Sequence, residues 1–507
     1  MNKNDKLDVD FKSLKYNSDW KAVYKKYQDN IAVFSELIED MVGKYKLTKI
    51  EARDVLLSEL VSCHYSRKQR KLLSENNRIK WLLLYISVML GIFLNGIISL
   101  LFFKKKIVKD VLFEEMFSEK GWSFRFYRYI NHLMINDQVS QAVLYTHPGI
   151  STDFVNKSIE GWNGDVINRQ LSSILFDFKN SYFVLRNDFF YFFKLYRLSK
   201  NINLIYLYMR FLRKYLVYNS QIKNIKAEVI VAAGDYYWNP IKYILYKKNI
   251  KHVILLQHNF KNEYLHNRLL QYCDYYYAHS NQAVERIEGV PFSKKYSIGS
   301  FQLVPFLHCQ PLEYDIVFIN QTVDNDLTNE WPDLDQEALR DSYYMLIDNF
   351  KEYLKQYDNV KAVYVAKGST INSKPSTIVK EKYKDLSNIE FIGSYGVKTF
   401  EIIKKSKLII NMYSSVGFES YGFDKKVLWI NYNKCCDLFR YDTEVEDLHV
   451  MINDTSYKAF EKKVNLLLSD NKEVDRHYKK LKEKYMNIQE NPAKIVADKI
   501  QEILKNS

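Results

Sequence analysis

The densest group of reactive side chains lies in KLIINMYSSVGFESYGFDKKVLWINY, Lys407 to Tyr432, where Ser414, Ser415 and Glu419 follow an apolar run. The stretch reads as strand, short loop, serine pair, helix start and a second strand. Paired hydroxyls beside free backbone N–H groups at a helix N-terminus make an anion site suited to a diphosphate. Glu419, one turn further in, can accept hydrogen bonds from ribose hydroxyls. A plain helix cap at Ser414 or Ser415 accounts for the same residues in structural terms.

Other candidates stand at the ends of apolar runs. His258 follows Leu255-Leu256-Gln257, and an imidazole with a pKa of about 6.5 suits proton removal from an acceptor hydroxyl. A hydrogen-bonding, noncatalytic role competes with that one. Asp235, in Ala233-Gly234-Asp235, is an equal rival as base, and it can equally cap the helix that starts near Pro240. Gln257 and His147 would line an acceptor side, although a strand-end turn explains His147-Pro148-Gly149 as well. Lys367, before Gly368-Ser369, can contact a phosphate, and Asn320 can approach a nucleotide. Asp324-x-Asp326 reads as a polar loop, so no metal site is expected, and no P-loop, G-x-G-x-x-G or nucleophile elbow is present.

These residues need strands to hold them. Beyond residue 140, short apolar runs alternate with helical stretches: Gln141 to Tyr145, Glu228 to Ala232, His252 to Leu256, Asp274 to Ala278 and Lys295 to Ile298. Runs of this length separated by helices indicate a parallel sheet covered on both faces. Pro305 and Pro311 then mark a linker, after which the rhythm restarts with Tyr314 to Ile319, Lys361 to Ala366, Ile389 to Ile392, Leu408 to Asn411 and Val427 to Asn431. The expected fold class is α/β, with two doubly wound Rossmann-like domains and a ligand cleft between their strand ends.

The first part of the chain differs. Trp20, Val23, Tyr24 and Tyr27 recur at helical spacing, and Thr48-x-x-Glu51 is a capping box opening a further helix. Trp81 to Phe103 carries no charge over 23 residues, long enough to cross a hydrocarbon core of about 30 Å. Basic residues flank it on both sides, so the positive-inside rule is nearly tied. A single straight span is the first choice; a bent monotopic segment broken at Asn95-Gly96, or a buried core helix, are the alternatives. The domains are therefore expected at 1–80 (helical), 81–103 (transmembrane or monotopic), 104–308 (acceptor-side) and 309–507 (nucleotide-donor side with C-terminal helices).

Composition narrows the classes. With 47% apolar and 26% charged residues the 507-residue chain is globular, and its five cysteines form no disulfide framework, which fits a reducing compartment. The net charge of +14 comes without a nucleic-acid module, so it is assigned to an anionic membrane surface and phosphate-bearing ligands. Glycine is scarce, only 15 residues, and eight of these fall between Gly234 and Gly422, outlining the proposed cleft.

Around Gly393-Ser394-Tyr395, Lys404 to Ile410, Ser414-Ser415-x-x-Phe418-Glu419 and Lys425-Lys426-Val427, the sequence resembles GT-B fold glycosyltransferases. The similarity is to the bacterial capsule and surface-polysaccharide biosynthesis group, with its Kdo-transferase-like and glycerophosphotransferase-like relatives. It covers about residues 225 to 435. It implies that the second domain binds a nucleotide-sugar as co-substrate, with Ser414 and Ser415 at the phosphates, Glu419 near the ribose, and Gly393 and Ser394 in the donor site. Relatives carry Gln-His-Gly where this chain has Gln257-His258-Asn259, and Lys-x-His-Pro where it has Lys367-Gly368-Ser369. The expected function is transfer of a sugar to a surface polysaccharide or lipid-linked acceptor by a protein anchored in the cytoplasmic membrane, its catalytic domains on the cytoplasmic side. No other cofactor is expected, and other polysaccharide-assembly proteins are candidate partners. The alternatives are a polyol-phosphate transferase, a sugar-nucleotide epimerase of the same fold, or a noncatalytic scaffold.

Overall fold

The computed structural model describes residues 18–64, 67–75, 77–102, 106–115, 130, 133–134, 139–146, 164–173, 175–199, 201–233, 238–257, 270–286, 288–289, 293–306, 311–320, 334–367, 371–372, 374–394, 397–436, 450–486 and 491–507. Among the described residues nine strands precede residue 300: β1 (Ile107–Glu115), β2 (Gln141–Tyr145), β3 (Asp165–Asn168), β4 (Ile225–Ala232), β5 (Ile250–Leu256), β6 (Leu270–Gln271), β7 (Tyr275–Ala278), β8 (Glu288–Gly289) and β9 (Lys294–Ser297). Seven of them form a parallel sheet in the order β3-β2-β1-β4-β5-β7-β9, while β6 and β8 pair separately. Period-two alternation divides its side chains between two cores. Leu112, Leu144, Ile230 and Leu255 face the N-terminal helices, while Val111, Phe113, Val143, Val231 and Ile254 face the opposite layer.

The second sheet comprises β10 (Tyr314–Ile319), β11 (Ala362–Lys367), β12 (Ile389–Ser394), β13 (Ser406–Asn411), β14 (Lys426–Ile430) and β15 (Met451–Ile452). They run in the order β12-β11-β10-β13-β14-β15, all parallel. Counted along the chain this is 3-2-1-4-5-6, the dinucleotide-binding order. Two parallel-sheet α/β domains are therefore present, as expected. The central strand β1, with β3 and β15, was not among the expected strands.

The last helix, Pro492–Lys505, departs from the expectation that the C-terminal helices belong with the second sheet. Ala493, Val496, Ala497, Ile500 and Ile503 are buried against Val111, Phe113 and Val143 of the first sheet. A short 3-10 turn, Phe301–Phe306, sits where the two layers meet: Phe301 belongs to the first core and Leu303 to the second.

The N-terminal helices Ser18–Gln28, Ile31–Tyr45 and Lys49–His64 pack together over the first sheet. The capping box is formed: Thr48 donates its backbone N–H to Glu51 Oε2 at 2.7 Å, and the Glu51 N–H reaches Thr48 Oγ1 at 3.2 Å. The apolar segment is a helix, Arg78–Ser99, long and apolar enough to cross a bilayer by length and composition. It runs unbroken through Asn95-Gly96. Gly96 marks a close approach instead, since a Cβ there would lie 2.8 Å from Ser181 Cβ.

Candidate active site

In an open parallel sheet, ligands bind where the strand order reverses, at the carboxyl ends of the strands flanking the switch. In the second sheet those strands are β10 and β13. They pair through Phe318 and Ile410, so Asn320 and Met412 leave the sheet side by side, and Ser414 and Ser415 follow. The geometry thus brings Asn320 and the serine pair to one crevice. Lys367 and Ser394 end β11 and β12, paired with each other in register, with Gly393 opposite Ala366. They occupy the same sheet edge, one and two strands beyond β10.

The serine loop has a defined shape. The Asn411 side chain donates from Nδ2 to the Ser414 carbonyl at 2.9 Å and accepts the Ser414 N–H on Oδ1 at 3.2 Å. Ser414 Oγ accepts weakly from the Val416 N–H at 3.4 Å. Ser415 occupies the cap position of the next helix in αR geometry, yet its side chain makes no capping bond. Both serines are half-buried. The helix itself is Val416–Ser420, five residues, continued by the turn Tyr421–Phe423. So short a helix has a small dipole, and the N–H groups of Ser414, Val416, Gly417, Phe418 and Glu419 already donate within the loop, which leaves the two hydroxyls as its anion donors. Glu419 lies inside this helix, 1% exposed, beneath the loop.

Neighbouring groups are tied down. Asn320 donates its backbone N–H to the Val365 carbonyl at 2.9 Å and accepts the Tyr343 hydroxyl on Oδ1 at 2.8 Å. Ser394 Oγ lies 2.8 Å from Thr399 Oγ1. Lys425 and Lys426, part of the family-like stretch, stand at the opposite end of β14, away from the crevice; Lys426 pairs with Asp475 at 2.9 Å.

In the first sheet the switch lies between β1 and β4, where Glu114 stands beside Ala232. Glu114 and Lys242 are both fully buried and paired at 2.8 Å, and the Tyr246 hydroxyl donates to Glu114 at 3.0 Å. Burial pulls the Lys242 ammonium below its ordinary pKa, against the opposing pull of Glu114. Gln257 is buried at the end of β5, where its Oε1 accepts the His279 N–H at 2.8 Å. His279 and Glu114 were missed by the sequence reading. His279 could have been found, since it directly follows the apolar run Tyr275 to Ala278. Glu114 carried no such signal. Asp235, His258, His147, Asp324 and Asp326 lie outside the described residues. Among the described residues no cluster of His, Cys, Asp and Glu is arranged to hold a metal ion.

No family model and no curated protein sequence matches the chain. Solved structures that superpose on it include a UDP-GlcNAc 2-epimerase of Methanocaldococcus jannaschii, 12% identical, covering 80% of this chain and 100% of that one with a TM-score of 0.45. MurG of Acinetobacter baumannii is 12% identical over 78% of this chain and 99% of its own, with a TM-score of 0.43. A glycosyltransferase from Rickettsia africae is 13% identical over 80% and 100%, with a TM-score of 0.40.

Proposed function

We propose that this protein is a membrane-associated glycosyltransferase that moves a sugar from a nucleotide-sugar to a polysaccharide or lipid-linked acceptor. The observation that carries the reading is the meeting of Asn320 with Ser414 and Ser415 at the β10/β13 switch point of a 3-2-1-4-5-6 sheet. Its second support is the resemblance of that same stretch to GT-B transferases. In this reading the acceptor oxygen bonds to the anomeric carbon as the bond from that carbon to the diphosphate breaks. The acceptor proton passes to His258 or Asp235. The departing diphosphate is held by the hydroxyls of Ser414 and Ser415, donors placed on a loop that Asn411 fixes and that need not reorganise as charge develops. Asn320 positions the nucleoside and Lys367 adds a cation at the next strand end, whereas Glu419, 1% exposed, is closed off from a ribose. An epimerase would have no need of the exposed apolar helix Arg78–Ser99.

A thermal-shift screen against UDP, GDP, CMP and CDP derivatives tests this directly, because a ligand that binds only the folded state raises the apparent Tm. One nucleotide class should give a rise, and the matching nucleotide-sugar should then be turned over when acceptor is added. No shift with any of them would favour the noncatalytic scaffold.

A further inference from the structure

The helix Arg78–Ser99 has two faces. Trp81, Tyr85, Met89, Ile92 and Ser99 are buried against the helices Phe178–Asp188, Tyr191–Leu198 and Leu204–Gln221. On the other side Leu83, Leu90, Leu94 and Ile97 are exposed at spacings of seven, four and three residues, and Leu101 continues the stripe. Two further apolar residues project beside its first half: Phe190 and Phe193 are 75% and 66% exposed at the junction next to Tyr85.

We infer that this helix lies in the plane of an anionic bilayer surface, half-embedded, with Phe190 and Phe193 inserted alongside it. The inference rests on the membrane-associated reading above and specifies how the association is made. A straight span fails on one contact. The Tyr85 hydroxyl, in the first half of the helix, donates to the Asp188 carbonyl at 2.5 Å, and the Asp188 carboxylate is buried in an ion pair with Lys44 at 2.7 Å. A spanning helix would draw that ion pair into the hydrocarbon, and with it the helix Phe178–Asp188, which packs along it as far as Gly96 and bears the exposed Lys179 and Arg186; ionised groups are costly there. An in-plane helix leaves them on the protein side. Its exposed stripe then enters the headgroup and acyl boundary, as an interfacial helix does.

Charge identifies the surface. Lys179 and Arg186 are exposed on these helices, as are Lys80, paired with Glu75 at 2.8 Å, and Arg197, 4.0 Å from Glu36, whereas Asp188, the acidic residue on the same elements, is buried. Cations around an apolar stripe are drawn to anionic headgroups. Between this helix and Leu204–Gln221 runs an apolar groove of about 460 Å³, lined by Leu84, Val88, Met209 and Leu216 with Lys80 and Arg213 among its residues, which adds apolar surface beside the stripe.

The test uses the full chain and vesicles of phosphatidylglycerol and phosphatidylethanolamine. Binding should fall by on the order of tenfold or more in neutral phosphatidylcholine vesicles, and by a similar factor in the double variant Phe190→Ser, Phe193→Ser. Fluorophores on cysteines placed at Ile79, Leu90 and Leu101, in a Cys309→Ser background, should be quenched most by bromines near the headgroups, at one shared shallow depth. A Leu90 label at the bilayer centre would overturn the inference, as would a self-associating protein that ignores vesicles. Nucleotide thermal shifts on the same samples separate the two readings: a retained shift with failed depth profiles removes only the in-plane placement, whereas a lost shift with the shallow profile removes only the transferase.

Discussion

Asn411 and Ser414 exchange two hydrogen bonds, side-chain amide to carbonyl at 2.9 Å and backbone N–H to side-chain oxygen at 3.2 Å. The last residue of β13 thereby sets the conformation of the serine loop. Asn411→Ala removes both and leaves the Ser414 groups without these partners, a loss of about 1–3 kcal/mol. Tm should fall by a few degrees and nucleotide affinity should fall with it. Unchanged affinity in a folded Asn411→Ala protein would show that the loop shape does not matter to the ligand.

Gly417 is required by its neighbours. A Cβ there would meet Asn411 Nδ2 and lie 2.6 Å from Trp429 Cη2, both on packed parts of the structure. Gly417→Ala should destabilise by about 1–3 kcal/mol, as overpacking does, read as a lower denaturation midpoint.

The hydroxyls themselves are separable from the fold, because Ser415 makes no capping bond and Ser414 accepts only one long one. Ser414→Ala with Ser415→Ala should leave Tm nearly unchanged while weakening diphosphate binding by about tenfold, roughly the worth of one or two hydrogen bonds to a charged ligand. Calorimetric titration with the nucleotide found in the screen reads this.

Lys425 predicts a pH effect. Burial, and secondly the nearby charge of Lys404, bring its pKa down to about 8 from an ordinary 10.5. Between those values the unfolded chain holds a proton that the folded chain has released, so this residue's contribution to stability rises with pH across that window. Lys425→Met should raise Tm at pH 7, and the gain over the parent should shrink as pH approaches 10. A gain that grows with pH would contradict the burial cause.

Glu59 is the opposite case. Burial resists its ionisation, but Lys214 and Arg210 outweigh that and hold its carboxyl below the usual range; the Arg210 contact is 3.0 Å. Its contribution is complete at neutral pH and is lost only as pH falls through that lowered value. Glu59→Gln leaves both cations partly buried without their counter-charge and should cost about 3 kcal/mol. Urea unfolding of the variant at pH 7 checks it.

Much of this fold is visible in the sequence because its strands are buried on both faces and read as unbroken apolar runs. β10 is legible over Tyr314 to Ile319 because Ile316 to Ile319 is a buried apolar run and its one charge, Asp315, lies at the strand's start. β1 was not, although it is central. Its charges Lys109, Asp110 and Glu114 interrupt the run, and each is met by a distant partner: Lys109 pairs with Asp165 at 2.6 Å, Asp110 accepts the Ser140 hydroxyl at 2.7 Å and Glu114 pairs with Lys242 at 2.8 Å. A local window cannot see those partners. The same limit applies to the site. The serine pair announced itself by type and spacing, but the Asn411 clasp, the five-residue length of the helix behind it and the pairing of Gln257 with His279 depend on three-dimensional neighbours.

The turn Phe301–Phe306 and the return of helix Pro492–Lys505 to the first sheet have a mechanical consequence. The chain passes between the two α/β layers twice, and the second passage ends against the first, because Phe301 and Ala493 share one core. Two adjacent covalent links act like the spine of a book. A chain cut between Phe306 and Tyr314 would therefore leave the second sheet still tied to the first through the packing of helix Pro492–Lys505.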